Sequence, residues 1–272
     1  MTINIGLSPN LTPKDSWLAF KMLFQPWKWK KGKALGELED WFKNYTGMEN
    51  VASFNSGRSA EYEILKALGI KDSDEVLLQA FTCVAVPNSV LWAAAKPVYV
   101  DIDQSLTMDP IDLERKITQK SKAVIVQHTF GNLANLREII QICKKHGLVL
   151  IEDCAHIIKK DIQGDAAFFS FGRDKVVSSV FGGMAVINDQ LPMANDQLNL
   201  NYPSSFWIFQ QLLHPVASAL ILPLYDLGLG KLILWTLQKL HLLSFPVYPQ
   251  EKKVEKPKDF PKRKAPKDGL QK

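Results

Sequence analysis

At 272 residues, with 46% hydrophobic and 22% charged residues, the chain has the composition of an ordinary globular protein, which excludes disordered and fibrous classes for most of its length. The formal charge of +5 sits in one place: residues 251–272 hold eight Lys and one Arg against four acids, leaving 24 bases and 24 acids before them. A nucleic-acid partner is therefore not expected, because the excess lies in a Pro/Lys-rich, flexible basic tail without apolar periodicity.

Cys83, Cys143 and Cys154 are scattered, with no C-x-x-C pair and no His spacing suited to zinc. No metal is expected, and a reducing compartment fits. Met1 to Trp17 has neither a basic n-region nor an apolar h-region, so the expected location is cytoplasmic.

Residues 1–50 read as an N-terminal helical arm. Its basic and aromatic stretch, Trp27-Lys28-Trp29-Lys30-Lys31-Gly32-Lys33, suits an anionic headgroup or a diphosphate. The favoured reading is plainer: a solvated helix start with its tryptophans packed on the domain. Residues 51–190 carry seven runs of β-formers: Val51–Phe54, Val76–Gln79, Pro97–Val100, Ala123–Gln127, Val149–Glu152, Ala166–Phe169 and Gly183–Ile187. Between them lie helix-period segments such as Leu136, Ile139, Ile140 and Cys143. This alternation predicts an α/β domain with a seven-stranded, mainly parallel sheet and helices on both faces, since runs such as Val149-Leu150-Ile151 suit strands covered on both sides.

Residues 191–250 read as an apolar helical segment. No Asp, Glu, Lys or Arg occurs from Ser204 to Tyr225, yet Gln210, Gln211, His214, Pro215 and Pro223 interrupt what would otherwise suggest a membrane span. The pattern predicts two or three short helices broken at the prolines. They are expected to bury themselves against the domain, a second subunit or the bilayer surface, with subunit packing favoured and a peripheral membrane contact through 204–243 as the alternative.

Chemistry concentrates at strand ends, where open α/β sheets place their sites. Asp153 leaves one predicted strand, and Lys175 lies just past the next. A carboxylate and a lysine so placed are what a pyridoxal 5'-phosphate (PLP) enzyme needs, one for the ring nitrogen and one for the Schiff base. Asp153 also has a plainer reading as a helix N-cap. Ser56-Gly57-Arg58-Ser59 opens a helix with apolar face Ile64, Leu65 and Leu68, and N–H groups at such a helix start bind phosphate.

From about Leu35 to Asn188 the chain resembles the DegT/DnrJ-type sugar aminotransferases, PLP enzymes of fold type I. The resemblance rests on Asn55-Ser56-Gly57, Phe81-Thr82-Cys83, Lys96 to Asp103, Glu152-Asp153-Cys154-Ala155-His156, Ser170-Phe171 with Lys175, and Gly182-Gly183 in order. It implies a fold type I PLP-transferase large domain whose C-terminal small domain is missing or truncated. It makes Lys175 the Schiff-base residue and general base, and Asp153 the partner of the ring nitrogen. His156 would bond the 3'-oxygen, with a packed core histidine as the alternative. The phosphate would fall to Gly57, Arg58, Ser59 and Ser170. Arg58 stands where the family commonly has a small hydroxyl residue, either pairing with the phosphate or pointing outward. Cys83 stands where an aromatic often stacks on the ring.

The resemblance further implies an aminotransferase moving an amino group from a glutamate-like amino acid to a keto-sugar, expected in nucleotide-linked form, in polysaccharide or amino-sugar biosynthesis. A homodimer is implied too, with Asn201 as a weak match to the residue a neighbouring subunit offers to the phosphate. Two other readings stay open: a truncated, non-catalytic homologue docking to a partner or an anionic membrane, and a PLP lyase or dehydratase. Lys175 favours transamination over the latter, because sugar dehydratases of the family can carry His there.

Overall fold

In the computed structural model, which describes residues 10–30, 33–191 and 202–244, every expected run of β-formers is a strand. The strands are β1 (Asn50–Phe54), β2 (Glu75–Gln79), β3 (Lys96–Val100), β4 (Ser121–Gln127), β5 (Val149–Cys154), β6 (Ala166–Ser170) and β7 (Gly183–Ile187), in one sheet of order β1-β7-β6-β5-β4-β2-β3. Pairing is parallel from β3 through β2, β4 and β5 to β6. β7 runs antiparallel to both of its neighbours, β1 and β6.

The helices are α1 (Pro13–Leu23), α2 (Ala34–Thr46), α3 (Gly57–Ala67), α4 (Ala85–Trp92), α5 (Pro110–Lys116), α6 (Leu136–His146), α7 (Ser205–Ile221) and α8 (Leu229–Lys239). Successive strand residues point to opposite faces. Val76, Leu78, Ala123, Ile125, Ile151 and Phe168 therefore pack against Ile64 and Leu65 of α3 and Val86 and Val90 of α4. The alternate residues Leu77, Val124, Val126 and Leu150 pack against Leu113 of α5 and Leu136, Ile139 and Cys143 of α6. Burying each such Leu or Ile is worth about 1.5–3 kcal/mol, which is why these strands are apolar at nearly every position. The same parity decides where the site forms. Gln127, Asp153 and Ser170 each lie two residues past an inward-facing member of the first core, so all three end on the α3/α4 face of the sheet.

Two expectations about the helices need correction. Pro215 does not break α7, which runs through it from Ser205 to Ile221. Proline here lacks only the N–H that would bond the Gln211 carbonyl one turn back, and α1 packs alongside, where Ser16 Oγ donates to Pro215 O at 3.3 Å. Pro223, just beyond the helix, does coincide with its end. In the arm, Trp29 packs locally, its Nε1–H bonded to Met22 O at 2.7 Å. Trp27 instead remains 67% exposed, so the tryptophans are not both packed on the domain.

The apolar segment packs on its own chain. α7 rests on α1, Trp207 meets Phe181 edge-on at 5.6 Å, and Ser244, just after α8, accepts from Arg173 Nη2 at 2.6 Å through Oγ and 2.7 Å through its carbonyl. Among the described residues no helix is long and apolar enough to cross a membrane. Asn201 and the tail 251–272 lie outside the described residues.

Candidate active site

One cavity of about 330 Å³ opens at the carboxyl ends of β4, β5 and β6. Its walls include Gly57, Arg58, Cys83, Asp153, His156, Ser170 and Lys175. Lys175 and Asp153 thus face one space.

Asp153 is buried, and Oδ1 accepts the Ala155 N–H at 2.9 Å. A turn, not a helix, follows β5, so the carboxylate closes an Asx turn where an N-cap was the plainer expectation. Burial pushes its pKa up to about 6, against the opposing pull of the Ala155 N–H and the charges of Lys175 and His128. Lys175 lies in the loop after β6, its N–H turned back to Gly172 O at 3.1 Å and its carbonyl held by Asn10 Nδ2 at 2.6 Å. Its side chain is largely buried, with Nζ 3.7 Å from Asp174 Oδ2.

His156 is not a packed core histidine. Its ring stacks on Phe130, and Nδ1 accepts the Phe130 N–H at 3.2 Å, an arrangement reached with Phe130 at a positive φ of 54°. In the neutral ring that bond puts the proton on Nε2, which makes this cavity-lining residue an N–H donor. Burial, and next the charge of Lys175, hold its pKa below the usual value, favouring this neutral form. Phe81 meets Phe130 edge-on at 6.0 Å, both rings exposed, and Cys83, two residues after Phe81, is exposed at the cavity wall.

The anion-binding end is built by close approach. A Cβ on Gly57 would stand 2.7 Å from Ser170 Cβ, and one on Gly183 would stand 2.4 Å from Ser56 C. Only glycine lets the start of α3 press against the ends of β6 and β7. Ser56 caps α3 by accepting the Ser59 N–H at 3.3 Å. The helix N-terminus then faces the cavity beside Ser170, a pairing suited to a phosphate. Ser59 does not line the cavity: it is buried, its hydroxyl donating to Asn55 Oδ1 at 2.9 Å and meeting Ser56 Oγ at 2.8 Å. Its place is in stiffening the β1–α3 turn.

Several lining residues escaped the sequence reading. Gln127 accepts from Thr82 Oγ1 at 2.6 Å and donates to Thr129 Oγ1 at 3.1 Å, tying β4 to two cavity loops. Arg173 is buried in the wall, its guanidinium 5.5 Å from the Phe181 ring centre. Glu61 of α3 lines the cavity and is fully buried. On the other face of β5, Glu152 Oε2 accepts from His128 Nε2 at 2.8 Å and Lys159 Nζ at 2.5 Å, and Oε1 takes the N–H groups of Gln163 and Gly164. Burial alone would raise this carboxyl. The bonds from His128, Lys159 and Gly164 outweigh it and hold the pKa below the ordinary value. His128, Glu152 and Cys154 come close enough to hold a metal, but these internal bonds already occupy the His and Glu atoms.

The sheet order with its single reversed strand, and a site at the strand ends beside a helix N-terminus, define the fold of the fold type I PLP-dependent transferases. The solved structure of NtdA from Bacillus subtilis with bound cofactor PMP superposes with a TM-score of 0.62 at 26% identity, covering 69% of this chain and 44% of that one. The chain belongs to the DegT/DnrJ/EryC1/StrS aminotransferase family, whose model matches residues 14–198. Among its relatives are GDP-perosamine synthase of Vibrio cholerae, 34% identical over 173 residues, and the spore coat polysaccharide biosynthesis protein SpsC of Bacillus subtilis, 32% identical over 168 residues. The matches cover 61% and 59% of this chain but 47% and 43% of those proteins. The chain therefore spans about half the length of the curated relatives it matches.

Proposed function

We propose that the chain binds PLP and serves an aminotransferase that moves an amino group from a glutamate-like amino acid to a nucleotide-linked keto-sugar in amino-sugar or polysaccharide biosynthesis. The observation that carries this reading is that Lys175, Asp153 and the start of α3 with Ser170 all face one cavity. The residues fit the cofactor. A volume of about 330 Å³ lies within the range of small-molecule sites, and the glycine-dependent approach of α3 to Ser170 leaves N–H groups and a hydroxyl for a phosphate. GDP-perosamine synthase and SpsC support the sugar and polysaccharide context.

Bound there, PLP supplies an aldehyde and an electron-accepting ring. Lys175 Nζ would provide the amine for that aldehyde and, when free, the base for the donor's α-proton. Asp153, ionised, would hold a proton on the ring nitrogen, and His156, with its proton on Nε2, would serve as the donor to the ring's oxygen substituent. The walls of α3, β5 and β6 exclude water from the buried end, where Asp153 sits.

The test is an absorbance spectrum of the protein purified with added cofactor. A visible band present in wild type and lost in Lys175→Ala supports the reading; a band unchanged by that substitution defeats it. Release of keto-acid from the donor separates transamination from a lyase or dehydratase, since sugar consumed without it excludes transamination.

The proposed partners are a second copy of the chain and an anionic membrane surface. For the membrane, the supporting observation is that Trp17 of α1 and Trp235 of α8 are exposed, with Lys21 and Lys239 lying 5.2 and 4.7 Å from their ring centres. Amphipathic cation–aromatic pairs of this kind suit a headgroup layer. Flotation with vesicles containing anionic lipid at low salt checks the membrane, and light scattering checks the dimer.

A further inference from the structure

Lys175 carries its amine at the end of a long side chain, and that amine has a defined place only if the backbone beneath it is fixed. The loop does not fix it alone. Between β6 and β7 the chain from Phe171 to Phe181 forms neither helix nor strand. Its own bonds close the base, Ser179 N–H to Phe171 O at 3.0 Å and Phe171 N–H to Gly182 O at 2.8 Å, and bend the tip, Lys175 N–H to Gly172 O at 3.1 Å. The loop is also strained: Val180 is buried at a φ of 72°, a region that a β-branched side chain disfavours. Such a conformation persists where the surrounding structure holds it.

The holding contacts come from sequence far to either side. Asn10, ahead of α1, donates from Nδ2 to Lys175 O at 2.6 Å across 165 residues. That side chain has no other hydrogen bond among the described residues, and α1 does not need it, because Thr12 and Asp15 already cap that helix. From the other side, Ser244 accepts twice from Arg173 Nη2, at 2.6 Å through Oγ and 2.7 Å through its carbonyl. Arg173 is buried two residues before Lys175, so its guanidinium pins the incoming strand of the loop while Asn10 pins the carbonyl that leaves Lys175. Further along, Trp207 of α7 meets Phe181 edge-on at 5.6 Å. The anchors also brace each other. The α1 helix that follows Asn10 rests on α7, with Ser16 Oγ donating to Pro215 O at 3.3 Å, and Ser244 Oγ donates to Gln211 Oε1 of α7 at 2.8 Å.

We propose that Asn10 and the Arg173–Ser244 pair are positioning residues for Lys175. This rests on the PLP reading above. Asn10 and Ser244 do not line the cavity, so neither touches the cofactor. Both act through the backbone of the loop, restricting it to conformations from which the amine reaches the aldehyde. A reacting group has to be held within about 0.5 Å of its productive place, and a lysine on an irregular loop meets that demand only with support from residues behind it. The N-terminal arm and the helices after β7 thereby share one task at the site, although they stand more than half the chain apart in sequence.

The experiment measures PLP binding by the full chain through the visible band and, in a Lys175→Ala background, by calorimetry, where the non-covalent contacts remain and no bond to the aldehyde can form. Asn10→Ala is expected to weaken binding about 3- to 10-fold when Lys175 is present and to leave it unchanged in the Lys175→Ala background. Ser244→Ala, which keeps the carbonyl acceptor, should act in the same direction with a smaller loss. In the cofactor-free protein, hydrogen exchange at the amides of Lys175 and Ser179 should quicken in Asn10→Ala while β5 and α3 exchange as in wild type. If Asn10→Ala binds PLP like wild type, or loses as much without Lys175 as with it, or leaves exchange in the loop unchanged, the inference is overturned and the PLP reading stands. No band in wild type removes both.

Discussion

Asp153→Asn should stabilise the cofactor-free protein, and the size of the gain follows from its environment. The Asp153 carboxyl is raised from 3.8 to about 6, chiefly by burial. A group whose folded pKa lies above its unfolded value binds its proton more tightly when folded. Its contribution to stability is therefore full below the unfolded pKa and is lost as pH rises through the folded one. A rise of about two units corresponds to about 3 kcal/mol, so at pH 7 the folded state is destabilised by roughly that amount relative to a neutral side chain. Asparagine removes the charge but keeps a carbonyl for the Ala155 N–H, which Asp153 Oδ1 now accepts at 2.9 Å. Denaturant unfolding of cofactor-free wild type and Asp153→Asn across a pH series should show the variant about 3 kcal/mol more stable at pH 7, with the gap closing below about pH 4. The same variant should bind PLP more weakly, having lost the partner of the ring nitrogen. A variant no more stable than wild type at pH 7, or a gap that does not change with pH, would refute the claim that burial of this carboxylate is maintained against stability.

His214 gives the opposite sign. It is buried with neither ring nitrogen partnered among the described residues, and burial, then the charge of Arg173, push it down to about 3. Its neutral form supports the fold above the unfolded value of 6.5 and that support is lost as pH falls toward 3. His214→Leu should therefore raise stability by about 1–3 kcal/mol at pH 7 and shift the acid-unfolding midpoint to lower pH, read by circular dichroism; an unmoved midpoint would count against it. Gly57→Ala puts a methyl 2.7 Å from Ser170 Cβ and 3.2 Å from Phe169 O, neither of which is the tip of a flexible chain. It should cost about 1–3 kcal/mol in denaturant unfolding and weaken PLP binding together; wild-type values in both would show that α3 does not press on β6 as described.

The sheet was legible because each strand states its own parity. Ile125, Ile151 and Phe168 alternate with residues of the opposite core, and this local period carries Gln127, Asp153 and Ser170 to one face without reference to distant sequence. The glycine at position 57 was legible for the same reason, since it punctuates a strand–helix junction. Ser59 was read into the cavity because it shares that junction. Sequence alone could not show that its hydroxyl turns back to Asn55, which depends on the rotation of the first turn of α3.

Glu61 had a signal that went unused. It stands three and four residues before Ile64 and Leu65, so the helical period that assigned those two to the core assigns Glu61 to the same stripe, and an acid on such a stripe needs a partner or a purpose. Arg173 had no comparable signal. It bonds to Ser244, 71 residues further on, beyond a helical segment whose own pattern suggested a second subunit. A residue recruited by packing of that range reads in sequence as one more charged position near Lys175. Only the folded chain reveals that this arginine joins the apolar helices to the cavity wall, while Ser244 Oγ carries the link on to Gln211 of α7 at 2.8 Å. The helices after β7 are thereby coupled to the loop that bears Lys175, so their packing bears directly on the position of the amine.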